Sequence, residues 1–537
     1  MRNYLYIILV AALLFVPFLG SVHLFDWDEI NFAESAREML VSGNYFRVQI
    51  NFEPFWEKPP LFFWMQVASM KLFGINEFAA RFPNAICGLL TLSFLYYSGS
   101  KHFDNKLALW WVIAFGGSVL PFLYFKSGII DPWFNLFIFI SICFLYEASV
   151  SIEKNITSKM VWAGIFAGLA VLTKGPVALI LISATAFIFI IINQRKFFFS
   201  LKQFFLAFIC MALITLLWFG PETIINGPWF LNEFIRYQIR LFTTQDAGHG
   251  GPFFYHPLII AIGCFPMAGF AIEALFRSYS KNNKPFLIWM RILFWVVLIL
   301  FSVVKTKIVH YSSMCYLPLS FLAANTIVLL QEGKVKFNLT MKIITWLGVI
   351  IFSVAFFAVP IIFQHPSWIQ SLIKDPFALA CLQANANWGG WEWSIGIFFF
   401  ISCIVAIVHL YRNEISKGLQ WLYAATIVSV FLYMFAVVPR IEEYSQGAAI
   451  DFFKSKTKED CYIKTWGYKS YAQFFYAQVK PDSNLNKNNP QWLLSAPIDK
   501  NVYFICKINR IKELEGFKEL KMILNKNGFV VFKRIKQ

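Results

Sequence analysis

The sequence predicts a mainly α-helical, polytopic membrane protein ending in a small α/β domain. Three observations predict it. Of 537 residues, 58% are hydrophobic and 19% aromatic, with a mean hydropathy of +0.58; no soluble globular class has that composition. Apolar runs of roughly 18 to 22 residues recur along the chain, each long enough to cross a ~30 Å hydrocarbon core. The runs are continuous rather than alternating, which selects helices over a barrel.

Thirteen spans are predicted, near residues 4–21, 78–99, 107–124, 132–149, 160–174, 176–193, 203–220, 255–276, 286–304, 309–330, 342–363, 392–411 and 418–438. The first follows Arg2 and has no small-x-small cleavage site before His23, so it reads as an uncleaved helix. Orientation follows from the basic residues. Lys101 and Lys106; Lys154 and Lys159; Arg195, Lys196 and Lys202; Arg277, Lys281 and Lys284; Lys334, Lys336 and Lys342; and Arg412 and Lys417 all fall on the side of Arg2. That side is therefore cytoplasmic. The same placement accounts for the net charge of +17 without a nucleic-acid partner.

Residues 22–77 form a first outer loop too polar to span. Asn31 to Ser42 reads as an amphipathic helix lying in the interface, with Glu34, Arg37 and Glu38 on its polar side. Leu61 to Phe73 reads as a second, started by Pro59-Pro60. The transmembrane part is placed at 1–439. After Arg440 the chain turns rich in Lys, Asn and Asp, and 440–537 reads as an outer α/β domain. Glu442 to Lys454 is its helix, Cys461–Trp466 and Val502–Ile508 are strands, and Leu520–Ile535 is a hairpin turning at Asn525 to Gly528. The nine cysteines show no CxxC or zinc spacing; Cys461 and Cys506 are the candidates for a disulfide in an oxidising compartment.

The suggestive clusters all fall on the outer side. Residues 26–61 carry seven carboxylates in a chain that is only 14% charged. Within DWDE, Asp28 and Glu29 are candidates for a general base, which needs a carboxylate in hydrogen-bond reach of its proton; capping of the next helix is the plainer reading. EKPPL (57–61) offers Glu57 to a metal and Lys58 to a phosphate. KSGIIDP (126–132) carries Lys126 and Asp131, TKGP (173–176) carries Lys174, and KTKIVHY (305–311) carries Lys305, Lys307, His310 and Tyr311. Interfacial snorkelling explains any one of these lysines. Together they run against the positive-inside bias, and a phosphate at headgroup level explains the set. The 221–254 loop leads into QDAGHGGPFFYHP, whose His249 is a metal candidate beside Glu57.

DWDE, EKPPL, ARFPNA (80–85), the outer Asp-Pro, TKGP, HGGPFFYHP and KTKIVHY, in that order, resemble bacterial family-39-type membrane glycosyltransferases of GT-C fold. These are relatives of the aminoarabinose (lipid A) transferases and the protein O-mannosyltransferases. The motifs cover roughly residues 1–330. The resemblance implies a polyprenyl-phosphate-linked sugar donor, transfer with inversion at the periplasmic face of the bacterial inner membrane, and a lipid, glycan or protein acceptor. It puts Asp28 in the place of the catalytic carboxylate and Asp131 in that of the second outer-loop aspartate. Lys174 and Tyr311, with Lys58, Lys307 and His310 near them, fall where donor contacts are expected. Glu57 and His249 are where zinc would sit if a divalent metal is used. A lipid-linked sugar transporter would carry its ionisable groups near the bilayer midplane, whereas these sit at outer helix ends. A polysaccharide ligase or polymerase would use the same donors.

Overall fold

Helices form at each predicted apolar run. The protein, seen in a computed structural model, is described for residues 2–151, 155–194, 197–245, 250–277 and 284–536. Among the described residues, nine helices are long and apolar enough to cross a membrane, from Glu77–His102 to Ile415–Ala436. Several begin where the sequence supplies a cap. Asn76 accepts from the Ala79 amide at 2.8 Å, and Asn338 does the same for Met341 at 3.0 Å.

The count of thirteen long spans does not hold among the described residues. Arg2–Phe15 and Val177–Ile192 are helices of 14 and 16 residues, shorter than a full crossing. Two other predicted spans are broken. The 107–124 run divides into Asn105–Gly116 and Val119–Tyr124 at Gly116-Gly117-Ser118. The 255–276 run divides into Tyr255–Gly263 and Met267–Phe276 at Pro266. Glycine and proline are poor helix interiors, and each break falls on them.

The helix Asp28–Ser42 departs from its expected place. Its polar side does not face water: Glu34, Arg37 and Glu38 are buried. The guanidinium of Arg37 pairs with both oxygens of Glu34 at 2.7 and 2.6 Å. Glu38 accepts the Phe52 amide at 2.7 Å as well as that of Asn51. The helix is buried because Leu61–Phe73 packs on one side and the C-terminal helix Ala472–Tyr476 on the other.

The C-terminal region carries a four-stranded sheet in the order Cys461–Trp466, Asn501–Lys507, Phe529–Arg534, Lys521–Lys526. The first pair is parallel and the others antiparallel. Register excludes the candidate disulfide and leaves the cysteines free. Cys461 lies opposite Asn501 and Cys506 opposite Trp466. The two sulfurs are thus five residues apart along the strands, about 17 Å, and both are free.

This region clasps the first outer loop. The Leu24 amide donates to the Tyr476 hydroxyl at 2.7 Å, and Gln446 Nε2 donates to the Leu24 carbonyl at 3.0 Å. His23 Nδ1 lies 3.0 Å from Glu442 Oε1. Asp26 accepts from the Ser470 side chain and the Tyr471 backbone.

Candidate active site

Four separate elements converge on Asp28. Asp28 opens the helix Asp28–Ser42, yet neither it nor Trp27 caps that helix through a side chain. Its Oδ2 instead lies 3.2 Å from His310 Nε2. His310 is held on the 3-10 turn Val309–Cys315, just before the helix Tyr316–Gln331. The same nitrogen is 3.9 Å from Asp131 Oδ2. Asp131 begins Asp131–Val150, with Pro132 at the first turn, where the helix dipole favours a carboxylate. Its other oxygen is bonded by Lys174, the last residue of Ile156–Lys174. The result is a chain of alternating acidic and basic side chains: Asp28, His310, Asp131, Lys174.

Lys174 also stacks over the Tyr311 ring, with Nζ 5.0 Å from its centroid. Gly175 makes the sharp exit from its helix possible. Its φ is +98°, and a Cβ there would lie 2.3 Å from Phe234 Cζ.

Lys58 approaches from the loop before Leu61–Phe73. It is buried, and its Nζ is 5.0 Å from the Tyr237 ring centroid. Among the described residues it has no ion-pair partner. Burial pushes its ammonium down from the usual lysine value, and the charges of Glu57 and Asp28 oppose that. Glu57 accepts from the Tyr237 hydroxyl at 3.1 Å, and burial raises its carboxyl. Asp28 is the contrary case. Burial alone would raise it, but the His310 hydrogen bond and the charges of His310, Lys58 and Lys174 prevail and lower it to about 2.

Two other sequence candidates do different work. Glu29 is not available as a base. Its carboxylate pairs with Arg81 at 3.0 and 2.8 Å and also accepts the Phe25 amide at 3.0 Å and the Gly128 amide. Lys307 is engaged by backbone carbonyls. It donates to the backbone oxygens of Phe301, Ser302 and Val304 at 3.0, 2.6 and 2.6 Å, closing the C-terminus of Lys284–Val303. Lys126 closes Arg2–Phe15 in the same way, through the Pro17 carbonyl at 2.7 Å.

For a metal, the donors do not assemble. Among the described residues no three His, Cys, Asp or Glu side chains are placed to hold one metal ion, and Glu57 is engaged with Tyr237. His249 lies outside the described residues, and His256 is turned to Ser312 Oγ at 3.0 Å.

A group the sequence did not reveal is Lys469. It lies between Cys461–Trp466 and Ala472–Tyr476, with Nζ 4.4 Å from the Trp27 ring centroid. It is more than 400 residues from Trp27 in sequence, and no local pattern marks it.

Residues 57–218 match the dolichyl-phosphate-mannose-protein mannosyltransferase family. An undecaprenyl phosphate-alpha-4-amino-4-deoxy-L-arabinose arabinosyl transferase of Photorhabdus laumondii is 24% identical over 95% of this chain and 94% of its own. A Proteus mirabilis enzyme of the same description is 29% identical over 61% of this chain and 60% of its own. The crystal structure of ArnT from Cupriavidus metallidurans bound to undecaprenyl phosphate superposes with a TM-score of 0.79, at 16% identity, over 98% of this chain and 97% of that one. What the chain is similar to, in its fold and in these relatives, is the class of GT-C-fold membrane glycosyltransferases. Within it, the chain is related to the aminoarabinose transferases, and the likeness runs through the C-terminal domain, past the residue 330 that the motifs reach.

Proposed function

We propose that the chain transfers a sugar from a polyprenyl-phosphate-linked donor to an acceptor at the periplasmic face of the bacterial inner membrane, inverting the anomeric centre. In this reading the N-terminus is cytoplasmic and the C-terminal domain periplasmic. The relatives' names supply the donor class and a pentose, 4-amino-4-deoxy-L-arabinose, as the sugar to test first. The observation that carries the reading is Lys58: a buried ammonium with no ion-pair partner among the described residues, beside the Asp28–His310–Asp131–Lys174 chain. A buried charge without a partner is costly, and an incoming phosphate would supply one.

The donor phosphate is met by Lys58, Lys174 and Tyr311, which offset the charge that grows as the anomeric C–O bond breaks. The acceptor oxygen attacks from the opposite face, forming the new C–O bond, and its proton passes to Asp28. Polyprenyl phosphate leaves with the bonding pair. Asp131 holds Lys174 and His310 in place. A single carboxylate on the acceptor side matches inversion. A carboxylate held at about 2 is a weak base. It can still take the proton, because the acceptor oxygen becomes strongly acidic as it bonds to the anomeric carbon. A phosphorylated lipid, lipid A, is the acceptor to test first. A divalent metal at Glu57 is kept as a proposal and no step runs through it.

The test is transfer by the purified protein from undecaprenyl phosphate-linked aminoarabinose to lipid A, with dephosphorylated lipid A as control. Mass spectrometry of envelope glycolipids from cells with and without the protein extends it to other sugars. Transfer to lipid A but not to the control supports the reading. Equal transfer to both removes the phosphorylated acceptor, and no lipid-linked sugar consumed at all removes the function.

A further inference from the structure

A groove of about 550 Å³ lies between the C-terminal domain and the segment 363–382. Its walls are mainly apolar, with Ile369, Ile373 and Ala378 on one side and Ile450, Phe453 and Phe529 on the other. Two cations stand on it, Lys469 and Lys507. Lys507 Nζ is 4.4 Å from the Phe377 ring centroid, and Lys469 Nζ 4.4 Å from that of Trp27. Among the described residues neither lysine has an ion-pair partner. The acid that lines the groove, Asp26, is already bonded by Ser470 and the Tyr471 backbone. Asp26 stands two residues before Asp28, the proposed base. None of Lys58, Lys174, His310 and Tyr311 lines it.

The 363–382 wall turns apolar side chains outward. Trp368 is 61% exposed and Leu372 77%. An exposed tryptophan and leucine on a membrane protein suit the interfacial belt of the bilayer. The groove is thus flanked by a segment suited to sit in lipid, is mainly apolar, and carries two cations.

We propose that this groove binds the acceptor, an amphiphile whose apolar chain lies between the C-terminal domain and residues 363–382 and whose anionic group is positioned by Lys469 and Lys507. The inference rests on the transfer reaction proposed above and gives the C-terminal domain a role in it. The lysines are positioning residues: they set which acceptor is held beside Asp28 and take no part in bond making. A polyprenyl phosphate is also an anionic amphiphile, but its phosphate has cations of its own at Lys58 and Lys174. The acceptor is therefore the occupant that the groove's separate pair of lysines fits.

The test uses the full-length protein in nanodiscs. Lipid A binding is measured directly by photocrosslinking, and steady-state transfer is measured against varied lipid A and varied undecaprenyl phosphate-linked aminoarabinose. Removing one cation from such a surface costs about 5-fold in affinity. Lys469→Ala and Lys507→Ala should each raise the lipid A KM about 5-fold, leave kcat and the donor KM near wild type, and lower crosslinking in step. Lys469→Arg should restore both. Ala378→Trp, which fills the groove, should lower crosslinking with both lysines intact. A donor KM that rises instead assigns the groove to the polyprenyl chain and overturns the proposal. Unchanged lipid A binding in both alanine variants overturns it too, as does equal binding of dephosphorylated lipid A. Because crosslinking does not depend on turnover, lipid A that binds through these lysines but receives no sugar leaves the groove standing and removes the proposed reaction.

Discussion

At neutral pH Asp28 is fully ionised, since its folded value is about 2 against an ordinary 3.8. Its ionisation therefore contributes no acid limb to transfer above about pH 3, and the stabilisation from its depressed value is present above 3.8 and lost as pH falls through 2. Replacing His310 by Gln removes the strongest influence that opposes burial, so the Asp28 carboxyl should move upward and an acid limb should appear in the pH–rate profile. A profile that keeps its wild-type shape in this variant would separate His310 from Asp28. Asp28→Asn keeps the shape but not the basicity; transfer should fall by about 10²–10⁴ while donor binding survives. Wild-type turnover in Asp28→Asn would move the base to Asp131, since Glu29 is committed to Arg81. Lys174→Ala should weaken donor affinity or turnover without loss of insertion; normal rates across donor concentrations would exclude it from the phosphate site.

The elements that bring these residues together are steric and electrostatic devices. Gly175→Ala places a Cβ against Phe234 in a backbone conformation that L-residues rarely adopt. It should cost about 1–3 kcal/mol, read as a lower Tm, and should displace Lys174. Arg81→Ala leaves Glu29 buried and unpaired; a loss of about 3–5 kcal/mol is expected, visible as poor recovery of folded protein. The sequence was informative at this scale where signals are local. Apolar runs, the Pro59-Pro60 start of Leu61–Phe73 and the hairpin glycine Gly528 act through a few neighbouring residues, and the helices and strands lie close to where they were expected. It was uninformative where a partner is remote. Glu34 and Glu38 look like a solvated face until Arg37, Asn51 and Phe52 satisfy them. Lys307 looks like a phosphate ligand until three carbonyls of the preceding helix end claim it. Asp28, Asp131 and Lys174 were legible as types at outer helix ends. Their alternation around His310 was not, because it is set by four elements spread from residue 28 to residue 311.

Across the whole molecule, the acidic first loop lies against the C-terminal region, and the proposed orientation puts both on the periplasmic side. Reporter fusions after Arg440 should be active only as a periplasmic reporter; cytoplasmic activity would reverse the map and the site with it. All nine cysteines are free, so denatured, unreduced protein should take up nine equivalents of thiol label. Seven would restore a disulfide.

The hold of residues 442–476 on residues 23–27 also orders events during synthesis. The first loop leaves the ribosome early, but the groups that fix Leu24 and Asp26 are made more than 400 residues later. The carboxylate-bearing helix must wait through nearly the whole of translation for its final support. A chain ending at residue 439 would then insert, display every residue from Asp28 to Tyr311, and transfer nothing. Nascent chains still being threaded into the bilayer would be silent for the same reason, so lipid-linked sugar would be spent only by finished molecules.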